Sequence, residues 1–250
     1  MALPARVDDS SPPYGTLIFD CDSTLTSIEG IDELAGARKH EIAALTERAM
    51  AGELALEEVY GLRLELLRPT RAQIVELGAR YAASALPHAG ELVSALHALG
   101  KRVCIVSGGI RQAVLSLSRA LGIDDEHVFA VDVFHHRDGS YAGFDEDSAL
   151  ARGSGKLEVV RGLARSDRRG GVALIGDGAT DLEGAPAARR FVAFGGVVRR
   201  ALVFERAVVS CTTPDLAAVL PLLVSTDELE SLAREPAHAP LLQAARVVRG

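Results

Sequence analysis

The chain has 250 residues, 48% apolar and 24% charged, with a net charge of -7. That is an ordinary globular balance for one or two domains, and it excludes collagen-like, coiled-coil and disordered readings. The apolar run Leu216–Val224 is far too short to span a membrane and contains Pro221.

In chain order, residues 1–13 read as a loose polar tail. TLIFD, ending at Asp20, reads as a buried strand, with no export-type or Arg-rich leader before it. From Ile28 to about Ala83 the spacing turns helical, with apolar residues at Leu54, Val59, Leu62 and Leu66 and a break at Pro69-Thr70. After Pro87 strands and helices alternate. A helix over 89–99 ends at Gly100, and the strand RVCIV (102–106) is followed by Ser107-Gly108-Gly109 as a turn. HVFAVDVF reads as a strand, and a hairpin turns at Asp138-Gly139. A helix begins near Gly155, GVALIG (171–176) is a strand, and a helix covers 181–188. Strands at 191–194 and 207–209 follow, and then a helical stretch over 227–248 broken by Pro236 and Pro240.

This alternation predicts an α/β fold: a doubly wound parallel, Rossmann-like sheet core with a small helical cap inserted after the first strand. The expected division is a core of 14–27 and 86–225, a cap of 28–85 and a C-terminal helical extension of 226–250. Ligands of such sheets bind beyond the carboxyl ends of the strands.

Chemistry-bearing residues fall at those ends. Asp20 and Asp22 follow the first strand, Ser107 the second, and Asp177 and Asp181 a later one. Two carboxylates ~4 Å apart repel by ~4 kcal/mol at an effective dielectric of 20, so four at one edge need a cation. Oxygen donors without Cys or His point to Mg2+ rather than zinc. Lys156 is one of only three lysines, with Lys39 and Lys101, in a chain that otherwise uses Arg; at a helix start it supplies a second positive charge. Cys21, Cys104 and Cys211 show no metal spacing, and their odd number argues against a disulfide framework. His135 and His136 are adjacent on a strand, point to opposite faces and cannot easily share an ion. GSGK (153–156) lacks the first glycine of a phosphate-binding loop, since position 150 is Leu150.

The motifs FDCDSTLTSIEGIDELA (19–35), VSGG (106–109), YAGFDE (141–146), Gly155-Lys156, IGDGATDLE (175–183) and FGG (194–196) resemble, in order, those of the haloacid dehalogenase superfamily. Within it they closely resemble the phosphoserine phosphatase family. The resemblance implies an enzyme that hydrolyses O-phospho-L-serine to L-serine and phosphate through an aspartyl-phosphate, the last step of L-serine biosynthesis. It implies Asp20 as nucleophile and Asp22 as general acid and base. It implies Mg2+ held by the carboxylates of Asp20 and Asp177 and the carbonyl of Asp22, with Asp181 steadying Lys156 or a metal-bound water. Ser107, Gly108, Gly109 and Lys156 would bind the phosphoryl group, with Ser23 and Thr180 lining the site. Glu29 would take the substrate's amino group and Arg63 its carboxylate, with Met50 and Ala51 nearby; relatives more often carry Gly where Ala51 stands. We expect a cytoplasmic enzyme with a small-molecule substrate, no nucleic-acid or membrane partner, no N-terminal regulatory domain, and homodimerisation left open. The alternatives are a phosphatase or phosphotransferase for another small amine-bearing ester, a non-catalytic ligand-binding module, and a dinucleotide oxidoreductase that shares only the layered fold.

Overall fold

The structure is a computed structural model that describes residues 12–50 and 56–247, without the side chains of 46–50 and 56–57. Six strands form the central sheet: β1 (Thr16–Phe19), β2 (Arg102–Ile110), β3 (Val128–Val131), β6 (Val172–Gly176), β7 (Arg190–Phe194) and β8 (Val209–Cys211). Their spatial order is β3-β2-β1-β6-β7-β8, and every neighbouring pair is parallel. β4 (Val133–His135) and β5 (Tyr141–Phe144) make a separate antiparallel hairpin.

Period-2 alternation explains why the central strands are apolar throughout. Leu17, Phe19, Val103, Ile105, Ala173 and Ile175 pack on one side of the sheet. Ile18, Cys104, Val106, Val172 and Leu174 pack on the other. Both faces are covered by helices, so neither set of positions can be polar. The strand order reverses between β1 and β6, and in an open α/β sheet the crevice beyond the carboxyl ends at such a point is the ligand site.

Four helices follow β1: α1 (Gly30–Ala35), α2 (Lys39–Met50), α3 (Leu56–Leu67) and α4 (Arg71–Ala83). The chain leaves and re-enters this region side by side. Thr26 bridges Ala85, the Ser27 amide donates to the Ser84 carbonyl at 3.0 Å, and the Leu86 amide donates to the Leu25 carbonyl at 2.9 Å. α5 (Ala89–Ala98) then leads into β2, and α6 (Arg111–Leu121) follows it. α4 buries Ile74, Leu77, Gly78 and Tyr81, the i, i+3, i+4, i+7 stripe of an amphipathic helix. It lies close against α6: a Cβ at Gly78 would stand 2.4 Å from Ser116 Oγ and 3.4 Å from the Ala113 carbonyl. Thr70 and Gln73 close its first turn with a reciprocal capping box. α4 thus ties the helical insert to the core, α3 buries Leu64 in the same cluster, and α3 meets the hairpin through the Tyr60–Phe144 ring pair, 5.4 Å between centroids.

The remaining helices are α7 (Gly155–Ser166), α8 (Ala179–Gly184), α9 (Ala201–Arg206), α10 (Leu220–Leu223), α11 (Thr226–Ala233) and α12 (Ala239–Val247). Among the described residues no helix is long and apolar enough to cross a membrane.

Several local expectations need correction. Ser107–Gly109 is not a turn: β2 continues through it to Ile110, with a shift in register against β3 after Val106. HVFAVDVF divides at Asp132, giving its first half to the sheet as β3 and its second to the hairpin as β4. The helix expected over 181–188 is α8, starting at Ala179, followed by a 3-10 turn at Ala185–Ala187. The last strand is Val209–Cys211 rather than 207–209. Pro240 sits in the first turn of α12, where its missing N–H has no intrahelical partner to lose. The C-terminal stretch, to which the sequence assigned no role, docks on the core through Leu232, Leu241 and Ala245. Glu228 Oε1 is 2.5 Å from the buried Lys101 Nζ, which also donates to the Tyr14 carbonyl at 2.9 Å.

Candidate active site

A cavity of about 770 Å³ opens at the carboxyl ends of the strands. Asp20, Asp22, Glu29, Arg63, Ser107, Gly108, Gly109, Lys156, Asp177 and Thr180 all line it. Ser23 is buried beside it, and its hydroxyl donates to Glu29 Oε1 at 2.7 Å. Met50 ends α2 and its side chain lies outside the description; Ala51 lies outside the described residues. A smaller cavity, about 530 Å³, lies at the opposite end of the sheet around Thr16, Arg102 and Asp167.

The backbone delivers the acidic residues directly. Asp20 is the first residue after β1, and its amide donates to the Ile175 carbonyl of β6 at 2.9 Å. The carboxylate is therefore placed at the point where the strand order reverses. Asp177 is the first residue after β6. Asp181 reaches back from α8, its Oδ2 accepting from the Gly178 amide at 2.9 Å. This return is possible because residue 176 is glycine; a Cβ there would stand 2.2 Å from Asp181 Cγ.

Lys156, at the start of α7, is buried between two of these carboxylates. Its Nζ lies 2.8 Å from Asp20 Oδ1 and 2.7 Å from Asp181 Oδ1. Burial works against its charge, but Asp181 and Asp20 outweigh burial and hold it above the ordinary lysine value. Asp20 Oδ1 also accepts from the Cys21 amide at 2.7 Å. The Cys21 thiol is pushed well up by burial and by Asp22 and Asp20, so it stays protonated and does not compete as a nucleophile.

Asp22 occupies a different environment two residues on. Its Oδ1 accepts from the Gly30 amide at 2.7 Å and from the Tyr81 hydroxyl at 2.6 Å. Burial, reinforced by the Asp20 charge, raises it to about 7, against the opposing effect of those two hydrogen bonds. A carboxyl group raised this far can hold and deliver a proton near neutrality. Ser107 Oγ, 3.5 Å from Asp22 Oδ2, accepts from the Gly109 amide at 2.9 Å.

Oxygens of Asp20, Asp177 and Asp181 lie within 4.8 Å of one another, and all three residues are buried. Asp177 Oδ1 accepts from the Thr24 hydroxyl at 3.1 Å, whereas its buried Oδ2 makes no hydrogen bond and has only the Arg200 guanidinium beside it, at 3.3 Å. Burial and then Asp20 raise Asp177 to about 6. A solvent-poor set of three hard carboxylates, one with an oxygen that makes no hydrogen bond, fits a divalent cation. A second acidic group, Asp124, Glu126 and His127, is largely exposed and precedes β3, at the other end of the sheet.

These shifts carry a testable consequence. The folded, metal-free chain holds protons on Asp177 and Asp22 above their ordinary value of 3.8, so the native state binds more protons than the unfolded state. Their contribution to stability therefore declines as pH rises from about 4 through 7. A cation that replaces the Asp177 proton should raise Tm more at about pH 7.5 than at about pH 4.5. At ~100 times its dissociation constant the gain is ~5–10 °C for a chain of this size. Thermal unfolding with Mg2+ and with chelator measures it; equal gains at both pH values would contradict the site.

Arg200, from the loop after β7, was not singled out in the sequence. Its Nη2 lies 3.1 Å from Glu29 Oε1 and its Nη1 3.3 Å from Asp177 Oδ2, linking the insert to the acidic edge. Position after a strand end was the available signal, but in a chain where all but three of 27 cations are arginine it carries little weight. Tyr81 was missed because its helical spacing matches a core position.

The sequence model of the haloacid dehalogenase-like hydrolases matches residues 14–189. The chain is 40% identical to phosphoserine phosphatase of Mus musculus over 191 residues, covering 76% of this chain and 85% of that protein. The Homo sapiens phosphoserine phosphatase is 38% identical over the same shares. The chain belongs to the haloacid dehalogenase-like hydrolases, in the phosphoserine phosphatase family. A substrate-bound phosphoserine phosphatase structure superposes with a TM-score of 0.69 at 26% identity, covering 85% of this chain and all of that one. A phospho-aspartyl intermediate analogue of phosphoserine phosphatase gives 0.66 at 25% identity, covering 85% and 100%. This member of the family is a phosphatase with an acidic cluster suited to a divalent metal.

Proposed function

We propose that this hydrolase cleaves O-phospho-L-serine to L-serine and phosphate, with Mg2+ as its cation, in the last step of L-serine biosynthesis. We assign it to the cytoplasm, in line with its acidic, globular composition. The observation that carries the reading is the pairing at one cavity of a lysine-bound Asp20 with an Asp22 raised to about 7. The first suits attack on phosphorus; the second suits donation of a proton near neutrality.

Asp20 attacks phosphorus and takes the phosphoryl group as an aspartyl-phosphate. Asp22 donates its proton to the departing serine oxygen, then accepts one from the water that hydrolyses the intermediate. Lys156, Ser107 and the Gly108 and Gly109 backbone face the phosphoryl oxygens, where negative charge must be held. The carboxylates of Asp20 and Asp177 and the carbonyl of Asp22 would hold Mg2+, which when bound supplies charge neutralisation at the transferring phosphoryl group. Asp181 keeps Lys156 in position. Thr180 lines the pocket, Ser23 supports Glu29 from beside it, and residues 28–85 act as the cap over it.

Glu29 and Arg63 line the cap side of the same cavity. Glu29 suits an ammonium group and Arg63 a carboxylate, which a guanidinium can hold through two parallel hydrogen bonds. Met50 and Ala51 are assigned to the same end of the substrate. Arg63→Ala should lower kcat/KM for phosphoserine by ~10–150-fold, the equivalent of ~1.5–3 kcal/mol for a charged hydrogen bond. Phosphate release from an ester lacking the amino-acid end should change far less. Equal losses on both esters would mean that Arg63 does not read the carboxylate.

A further inference from the structure

Asp22 Oδ1 has two donors, and one of them comes from outside the catalytic loops. Tyr81 is fully buried on α4, and its hydroxyl stands 2.6 Å from that oxygen. The notch it occupies exists because residue 30 is glycine: a Cβ there would lie 2.0 Å from the Tyr81 hydroxyl oxygen. α4 is held to the core. Gly78 lets it approach α6 closely, and the Thr26 hydroxyl donates to the Ser84 carbonyl just beyond its last turn at 3.0 Å. The second oxygen, Oδ2, faces Ser107 Oγ at 3.5 Å, and a Cβ at Gly109 would lie 3.2 Å from it. Oδ2 is thus the oxygen turned toward the phosphoryl-binding residues.

We propose that Tyr81 is a positioning residue for Asp22: its hydroxyl, with the Gly30 amide, occupies Oδ1 as acceptor and leaves Oδ2 to deliver the proton to the leaving oxygen. The inference rests on the reading of Asp22 as the general acid. A carboxyl group places its proton on the oxygen that is not already accepting two hydrogen bonds. Rotation about the Asp22 side chain would exchange the two oxygens, and two donors on Oδ1 oppose it. The roles differ accordingly: Asp22 touches the reacting atoms, and Tyr81 acts through Asp22.

The test uses two esters that differ in how much their leaving group needs a proton. Serine leaves as an alkoxide unless protonated, whereas 4-nitrophenolate leaves readily without help. For each, kcat/KM reports steps up to transfer onto Asp20. Tyr81→Phe keeps the buried ring and removes only the hydroxyl. It should lower kcat/KM for phosphoserine about 10–100-fold and that for 4-nitrophenyl phosphate less than about 3-fold. In an Asp22→Asn background the same substitution should cause no further loss on phosphoserine, because residues acting through one group are not additive. Equal losses on the two esters, no loss on phosphoserine, or an undiminished further loss on Asp22→Asn would each overturn the proposal. Near-normal phosphoserine turnover by Asp22→Asn itself would instead refute the reading of Asp22 as the acid.

Discussion

Asp20→Asn should lower turnover of phosphoserine by about ten-thousand-fold or more, the scale of losing a covalent nucleophile, while the protein stays folded. The substitution preserves volume at a buried position and keeps an oxygen that can accept from the Cys21 amide, 2.7 Å from Oδ1 in the native chain. Lys156 keeps its second partner, Asp181, at 2.7 Å. The amide also removes one charge beside three buried carboxyl groups, since Asp20 contributes to the upward shifts of Asp22, Asp177 and Asp181. Circular dichroism and thermal unfolding should therefore resemble those of the native protein, with only the chemistry gone. Hydrolysis within about tenfold of native would remove Asp20 from the role of nucleophile.

The second large effect is on stability as well as rate. Lys156→Met replaces a buried cation by an apolar side chain of similar length and leaves Asp20 and Asp181 facing each other without it. Removing one partner of a buried ion pair costs about 3–5 kcal/mol, because the charge left behind is uncompensated. For a chain of this size that corresponds to a Tm lower by about 6–20 °C. Adding Asp181→Asn should recover part of the loss by removing one of the stranded charges, yet it should not restore activity, since the positive charge that Lys156 brings to the phosphoryl oxygens is still missing. An unchanged Tm for Lys156→Met would mean that the triad of Asp20, Lys156 and Asp181 contributes nothing to the fold. Recovery of turnover in the double variant would deny Lys156 a part in the chemistry.

Asp20 and Asp177 were legible in the sequence because each follows a strand directly. Asp20, Asp177 and Ser107 need only the parallel order of three strands to meet, and that order follows from alternating strands and helices. Lys156 was legible for a different reason, its rarity in an arginine-rich chain. What the linear pattern hid depends on packing between distant elements. Tyr81 has the spacing of a core residue, and only the close fit of Gly30 and α4 turns its hydroxyl toward Asp22. Arg200 has no local signature, and its link to Glu29 and Asp177 joins positions 171 and 23 residues away. The extension of β2 through Ser107-Gly108-Gly109 was hidden because two glycines read as a turn, while the strand runs on through an irregular stretch between its pairs at Val106 and Ile110. The C-terminal helices looked peripheral, yet Glu228 reaches the buried Lys101 near the amino end of β2.

All of these assignments converge on a single event, the passage of a phosphoryl group onto the first residue after β1. Acid-quenching the enzyme during turnover of phosphoserine, followed by mass analysis of its peptides, observes that event directly. A phosphoryl group on the peptide containing Asp20 in the native enzyme, absent from the Asp20→Asn variant, is the result expected. A phosphoryl group on another residue, or burst kinetics with no phosphorylated peptide at all, would contradict it.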